Sequence, residues 1–415
     1  MDYIYKCFYQ SYDMDNERIL FKNLIKYQEE KIIRGALYSI PDDFIVREIP
    51  LDKSFIGDSS FDDLSYPRGK EDKFVRCTLV KRELSDFKVI EELSNFLGIS
   101  YEDIGYHGLK DTFGLTIQQI SLPSKIYIEN LSRLKNKKFK GFFMKNATFS
   151  SSPCVLREIF GNHFTVTIRE FEGNETKIRD QLDKFFRKNN KFPSFYGHQR
   201  FGIRQNNHII GKQIIKRSFD KAIKIFCLES ANEPTNNFKT RETLKKNWGN
   251  WEVCYNLVKD NPDLDYEKKI FNHLMVQNDD YEGAVNKIKI FNFCVNSYSS
   301  YLFNKILINL IDRKIEIDYL PLIGYAINLN NELIRLEYEK IFQSEGITKD
   351  NFKNICHANL SFPGRVREAF YKVDDFKFEV RDNSIVLEFS LPMGVYANLF
   401  LEQIIKNKSR KNKLE

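Results

Sequence analysis

Gly108-Leu109-Lys110-Asp111-Thr112-Phe113-Gly114-Leu115-Thr116-Ile117-Gln118-Gln119-Ile120-Ser121 is the stretch on which the fold turns. From Thr116 to Leu122 it alternates in the manner of a β-strand, and ahead of that strand a glycine-led turn carries Lys110 and Asp111. Asp111 is therefore expected on a connection between ordered elements, where scaffolds commonly display reactive groups. A carboxylate held near a cation can attack an electrophilic carbon and split one difficult substitution into two easier ones. Taken alone, a Gly-x-Lys-Asp turn is an ordinary surface turn roughly ten times as often as a catalytic loop, so its surroundings must decide.

Upstream, Phe44–Ile49 and Phe74–Val80 read as strands, separated by a polar stretch from Asp52 to Lys73 that is a long loop and a candidate flap. Ser85 caps a helix whose Phe87, Ile90, Leu93, Phe96 and Leu97 share one face before Gly98 stops it. Downstream, a strand is expected at Phe164–Arg169 and a helix at Glu175–Arg187 that groups Ile178, Leu182, Phe185 and Phe186. This alternation predicts a mixed sheet with helices on its faces. From about Lys216 to Arg365 the texture turns helical, with helices expected at Tyr298–Leu310 and Asn331–Phe342. Strand patterns return at Phe376–Val380 and Ser384–Leu391, followed by a turn at Pro392-Met393-Gly394, a helix from Val395 to about Lys406 and a basic tail to Lys413. The first unit thus resumes after a helical module, as 415 residues would allow.

The 42% hydrophobic and 14% aromatic content suffices for packed cores. No window reaches the roughly 18 apolar residues of a membrane span, and a cytoplasmic protein without membrane partners is expected. Cys7, Cys77, Cys154, Cys227, Cys254, Cys294 and Cys356 are widely spaced and read as buried thiols, and the scattered histidines suggest no metal site. A net charge of +7 suits a polyanion. Basic and aromatic residues mix in Arg133–Lys145 and Lys184–Phe192, where phosphate contacts and stacking faces could coexist, although solvated faces of ordinary elements look the same.

Three segments together resemble the TruD family of pseudouridine synthases. The opening stretch is similar to its G-x-K-D-x-x-A-x-T-x-Q signature, with Gly114 in place of the alanine. Phe192-Pro193-Ser194-Phe195-Tyr196-Gly197-His198-Gln199-Arg200-Phe201-Gly202, with Asn207 and Gly211 beyond, resembles V-P-N-Y-F-G-x-Q-R-F-G. Leu387–Ala397 resembles L-x-F-x-L-P-x-G-x-Y-A. Pro41–Glu48, Gly161-Asn162-x-Phe164 and Tyr298–Asn304 echo further family segments, so the likeness runs from about residue 35 to 406.

The resemblance implies an α+β fold: a pseudouridine synthase catalytic domain, 1–218 with 368–415, interrupted by a mainly helical TruD insertion at 219–367. It implies isomerisation of uridine to pseudouridine in tRNA, usually at position 13, by a monomer without cofactor or metal, with other RNAs as further partners. Asp111 is the matched nucleophile, with Lys110 or Arg200 holding it ionised and oriented. Tyr196 and Tyr396 match aromatics that meet the target base, and Glu48, Ser194, Gln199 and Phe201 match substrate-binding positions. Ser194, Tyr196, Asn398 and Glu402-Gln403 depart from the family's usual letters and put substrate preference in question. A non-catalytic RNA-binding or RNA-folding protein on the same scaffold is the alternative. A glycosidase-like hydrolase would require Asp111 and Glu48 as a carboxylate pair about 5 to 10 Å apart.

Overall fold

The computed structural model describes residues 31–53, 64–156, 158–230, 235–355 and 362–407. Most of the weakly patterned N-terminus, residues 54–63 of the expected flap, Cys7, Cys356 and the tail beyond 407 lie outside them. The chain divides into two compact units: Gln28–Phe192 with Tyr371–Glu415, and Met1–Tyr27 with Pro193–Phe370.

The first is the sheet unit. Its elements are β1 (Ile33–Ala36), β2 (Phe44–Ile49), β3 (Phe74–Arg82), α1 (Asp86–Leu97), β4 (Gly105–Tyr106), β5 (Leu115–Pro123), α2 (Ser124–Asn136), β6 (Phe142–Ser150), β7 (Gly161–Glu172) and α3 (Glu175–Lys188). After the other unit the chain adds β8 (Asp374–Arg381), β9 (Ser384–Pro392), α4 (Ala397–Ile404) and β10 (Ile405–Asn407). The main path runs β8-β9-β7-β2-β5-β3-β6, with β1, β4 and β10 alongside. Neighbours are antiparallel except β2 with β5 and β1 with β10, so the sheet is mixed, as the alternating texture predicts.

Period-two alternation sends Phe44 and Val46 of β2, Phe164, Val166 and Ile168 of β7, and Ile385, Leu387 and Phe389 of β9 into one core. Ile178, Leu182 and Phe185 of α3 and Phe400, Leu401 and Ile404 of α4 cover it. A second core joins Val75, Cys77 and Leu79 of β3 and Ile120 and Leu122 of β5 to Val89 and Leu93 of α1 and Tyr127 and Leu134 of α2. Each fully buried aliphatic side chain contributes about 1.5–3 kcal/mol. On the strands where the two cores meet, the pattern breaks. Glu48 on β2, Gln118 on β5 and Lys81 on β3 are buried where apolar residues would continue it.

Two expectations change in detail. In α1, capped by Ser85 and stopped by Gly98 in the left-handed region, the inward residues are Asp86, Val89, Ile90, Leu93 and Leu97, and Phe87 faces outward because it lies one position off that 3.6-residue stripe. The C-terminal helix ends at Ile404, whose carbonyl accepts from Ile32 N at 3.0 Å, and Ile405–Asn407 then pair in parallel with β1. The weakly patterned N-terminus had concealed that strand. The basic, aromatic stretch 133–145 spans the end of α2 and the start of β6.

The helical unit extends from Asn207–Ile215 to Glu332–Glu345, with Ile290–Asp312 its longest helix, and the strands Tyr319–Leu322 and Arg365–Glu368 pair antiparallel. The helices expected at Tyr298–Leu310 and Asn331–Phe342 fall inside Ile290–Asp312 and Glu332–Glu345, the latter capped by Asn331. The unit begins at Pro193, whereas the sequence reading set the boundary at 219. The reason is packing: Gly211 lies so close to Cys294 that an added Cβ would stand 2.1 Å from its carbonyl oxygen. The described cysteines Cys77, Cys154, Cys227, Cys254 and Cys294 are buried. Among the described residues no helix is long and apolar enough to cross a membrane.

Candidate active site

Asp111 stands on the connection between β4 and β5. Gly114, next to the strand, has φ of +100°, and an added Cβ would lie 2.3 Å from the Phe44 carbonyl oxygen, so the loop can close here only with glycine.

Beneath the loop lies a buried polar cluster. The Glu48 carboxylate pairs with Lys110 Nζ at 2.8 Å, meets His107 Nδ1 at 3.4 Å and accepts from Gln119 N at 2.8 Å. Lys110 Nζ also donates to Asn162 Oδ1 at 3.0 Å. Burial alone would raise Glu48, but the His107 hydrogen bond and the Lys110 charge hold it below the usual carboxylate range. Burial likewise opposes the charge on His107, yet its contacts with Cys154 and Glu48 prevail and hold the imidazole up at about 9.

Lys81, on β3, sends its ammonium to the Asp111 carbonyl at 2.8 Å and the Leu84 carbonyl at 2.8 Å, with Asp86 Oδ1 at 3.6 Å. Asp86, the first residue of α1, accepts from Lys110 N and, at 2.6 Å, from Gln118 Nε2. Burial pushes Lys81 down and Asp86 up, each opposed by the other. Asp111 is half-buried. Burial raises its carboxyl, and of the charges opposing that rise Lys81 is first and Lys110 second.

Tyr38 adds an aromatic wall. Its hydroxyl bonds Asn398 Oδ1, its ring meets Phe113 edge-on at 5.7 Å and Phe44 at 5.2 Å, and its φ of 57° is a left-handed value a tyrosine rarely adopts. Burial, then the Asp111 and Glu402 charges, push its phenol well above the ordinary value. Tyr396 is half-buried at the N-cap of α4, and its carbonyl accepts from Leu399 N at 3.1 Å.

The remaining sequence candidates belong to the helical unit. Tyr196 exchanges two 2.9 Å hydrogen bonds with the Asn304 side chain, through its own N–H and carbonyl, and its hydroxyl accepts from Arg365 at 3.2 Å. The Arg367 guanidinium lies 4.3 Å from its ring centroid and Phe303 stands edge-on at 5.6 Å, leaving the residue 2% exposed. Arg200 donates to Ser300 Oγ at 3.0 Å and covers Phe293 at 4.9 Å. Ser194 and Phe201 are buried, the first bonded through its N–H to Ala369 O at 2.9 Å, and Gln199 is exposed.

The structure therefore joins Lys110 to Glu48, and it buries the Glu48 carboxylate against Lys110, His107 and the Gln119 N–H. The sequence reading missed Lys81, Asp86, His107 and Tyr38. A signal for Lys81 existed, because it continues the alternation of Val75, Cys77 and Leu79 onto the buried face.

Comparison with known proteins agrees with this architecture. The family model described as tRNA pseudouridine synthase D (TruD) matches residues 24–320 and 309–404. A Methanocaldococcus jannaschii protein assigned as tRNA pseudouridine synthase D 1 is 26% identical over 407 residues, covering 93% of this chain and 99% of that one. A Pyrobaculum aerophilum protein assigned as tRNA pseudouridine synthase D is 26% identical over 400 residues, covering 90% and 92%. A Methanosarcina mazei crystal structure assigned to TruD shares the fold, with a TM-score of 0.67 at 23% identity, over 90% of this chain and 94% of that one. With the signature loop seated on a mixed sheet and the family model spanning nearly all of the chain, this protein belongs to the TruD family.

Proposed function

We infer that the chain isomerises uridine to pseudouridine in tRNA, with Asp111 as its nucleophile. One observation carries the assignment of the residue. Of the three carboxylates in the cluster, Glu48 and Asp86 have both oxygens engaged by neighbouring groups, whereas Asp111 is held through its backbone and, among the described residues, its carboxylate has no hydrogen bond from another residue. An anchored backbone with an uncommitted side chain suits a covalent nucleophile.

In the reaction the C1′–N1 bond breaks, the detached uracil turns, C5 bonds to C1′, the C5 proton leaves and N1 gains one. The Asp111 carboxylate assists as an anion, by attacking C1′ or by adding to the ring, and Lys81 and Lys110 favour that anion. A base stacked in RNA must first be extruded, and aromatic side chains receive it. Tyr396 is half-buried beside the start of α4 and suits that role; Tyr196 can offer a face only once Arg367 leaves it. Exposed Arg133, Lys135, Lys137, Lys138 and Lys140, near Phe96 and Phe139, suit phosphate contacts. Uridine 13 is the proposed target, the enzyme acting as a monomer in the cytoplasm.

The test is tritium release from tRNA transcripts carrying C5-labelled uridine. Wild-type protein releases tritium at one site and Asp111→Asn falls to background while still binding the transcript. Tight binding by wild-type protein with no release would instead establish the non-catalytic alternative.

A further inference from the structure

The loop that carries Asp111 is fixed by two groups outside its motif. Asp86 accepts the N–H of Lys110, and the Lys81 ammonium donates to the carbonyl of Asp111, so the two-residue segment Lys110-Asp111 is pinned at both ends. The two pins are themselves an ion pair, 3.6 Å apart, and both side chains are buried. Gln118 holds the other Asp86 oxygen and the Leu84 carbonyl holds the lysine, so neither can swing away. Lys110, by contrast, spends its ammonium on Glu48 and Asn162.

We propose that the Lys81–Asp86 pair is the positioning device of this active site, fixing the backbone of Asp111 through the Lys110 N–H and the Asp111 carbonyl. This rests on Asp111 being the nucleophile. A misplacement of about 1 Å in a reacting group lowers the rate on the order of 10²-fold, so a pair acting through backbone geometry governs kcat while leaving tRNA affinity alone. The charged and titratable groups acting on Asp111 are Lys81 from β3, Asp86 from α1, Lys110 from its own loop and Tyr38 from the segment before β2, with Glu48 and His107 behind Lys110. Lys81 and Asp86 act on the Asp111 proton with opposite signs: the lysine favours the anion, the aspartate opposes it.

The experiment measures single-turnover tritium release and KM for full-length tRNA across pH in the wild type, Lys81→Met, Asp86→Asn and the double variant. Lys81→Met is expected to lower the rate on the order of 10²-fold with KM within about threefold, and to move the acid limb of the rate profile to higher pH. Asp86→Asn moves that limb to lower pH. A packing defect would not send the two limbs in opposite directions. Should Lys81→Met fail to fold, the double variant, which removes both charges together, retains the fold and still reacts on the order of 10²-fold slowly. Limbs that stay in place or move together, or a double variant with the wild-type rate, would overturn the proposal. A wild-type protein that releases no tritium at all would instead remove the functional reading on which it rests.

Discussion

The loop around Asp111 and the segment around Tyr196 are both legible as motifs, yet the protein builds them in opposite ways. Around Asp111, charge is gathered inside a sheet: three carboxylates face Lys81, Lys110 and His107, and one carboxylate is left uncommitted. Around Tyr196, every polar atom is committed: Asn304 takes the backbone on both sides, Arg365 the hydroxyl and Arg367 the ring. Similarity in sequence marks positions under constraint. It does not say whether the constraint is chemical or mechanical, and here the hydrogen-bond inventory separates the two.

Four substitutions or conditions sharpen or break that contrast. The largest effect is expected at Glu48→Gln. The change leaves buried Lys110 and His107 without their counter-charge, which typically costs about 3–5 kcal/mol. Urea unfolding of the full chain measures it, and a loss below about 1 kcal/mol would mean that the cluster is far more hydrated than its burial indicates. Asn304→Ala comes next, removing two buried hydrogen bonds from the Tyr196 backbone at a cost of about 2–3 kcal/mol, with activity falling only as far as folding does.

The third is a pH effect on stability. His107 is held at about 9 in the folded chain against an ordinary value of 6.5, so its contribution is complete below about pH 6.5 and is lost as pH rises through about 9. Thermal unfolding at pH 6, 8 and 10 should show a decline that His107→Gln flattens; parallel curves would assign the decline to other groups. Smallest is Tyr196→Phe, which gives up the hydroxyl contact with Arg365 and restores the phenylalanine of the family pattern. A stability change within about 1 kcal/mol and unaltered kcat/KM for tRNA are expected. A large loss of kcat with normal folding would move Tyr196 from the mechanical to the chemical side.

Much of the sheet was readable because Phe44–Ile49 and Ser384–Pro392 alternate over most of their length, whereas Phe74–Arg82 was marked by its apolar, β-branched run and is buried on both faces from Cys77 to Lys81. Asp111 was readable because its loop chemistry is bound to a fixed spelling. Lys81 was not, since a lysine beside Arg82 at a strand end reads as solvated, and only its register against Leu79 shows that it turns inward. Tyr38 escaped for a different reason. Its placement depends on a left-handed backbone and on Asn398, some 360 residues away, which no local pattern encodes.

The pairing of β1 with β10 has a consequence for biosynthesis. Residues 193–370 leave the ribosome as one contiguous stretch, so the helical unit has all of its described elements in hand early. The sheet must wait for β8, β9 and finally Ile405–Asn407 before Ile33 finds its parallel partner. During that interval the nascent strands expose unpaired edges, and a message truncated even a few codons before Ile405 would release a chain whose Ile33–Ala36 strand keeps one edge without its parallel partner.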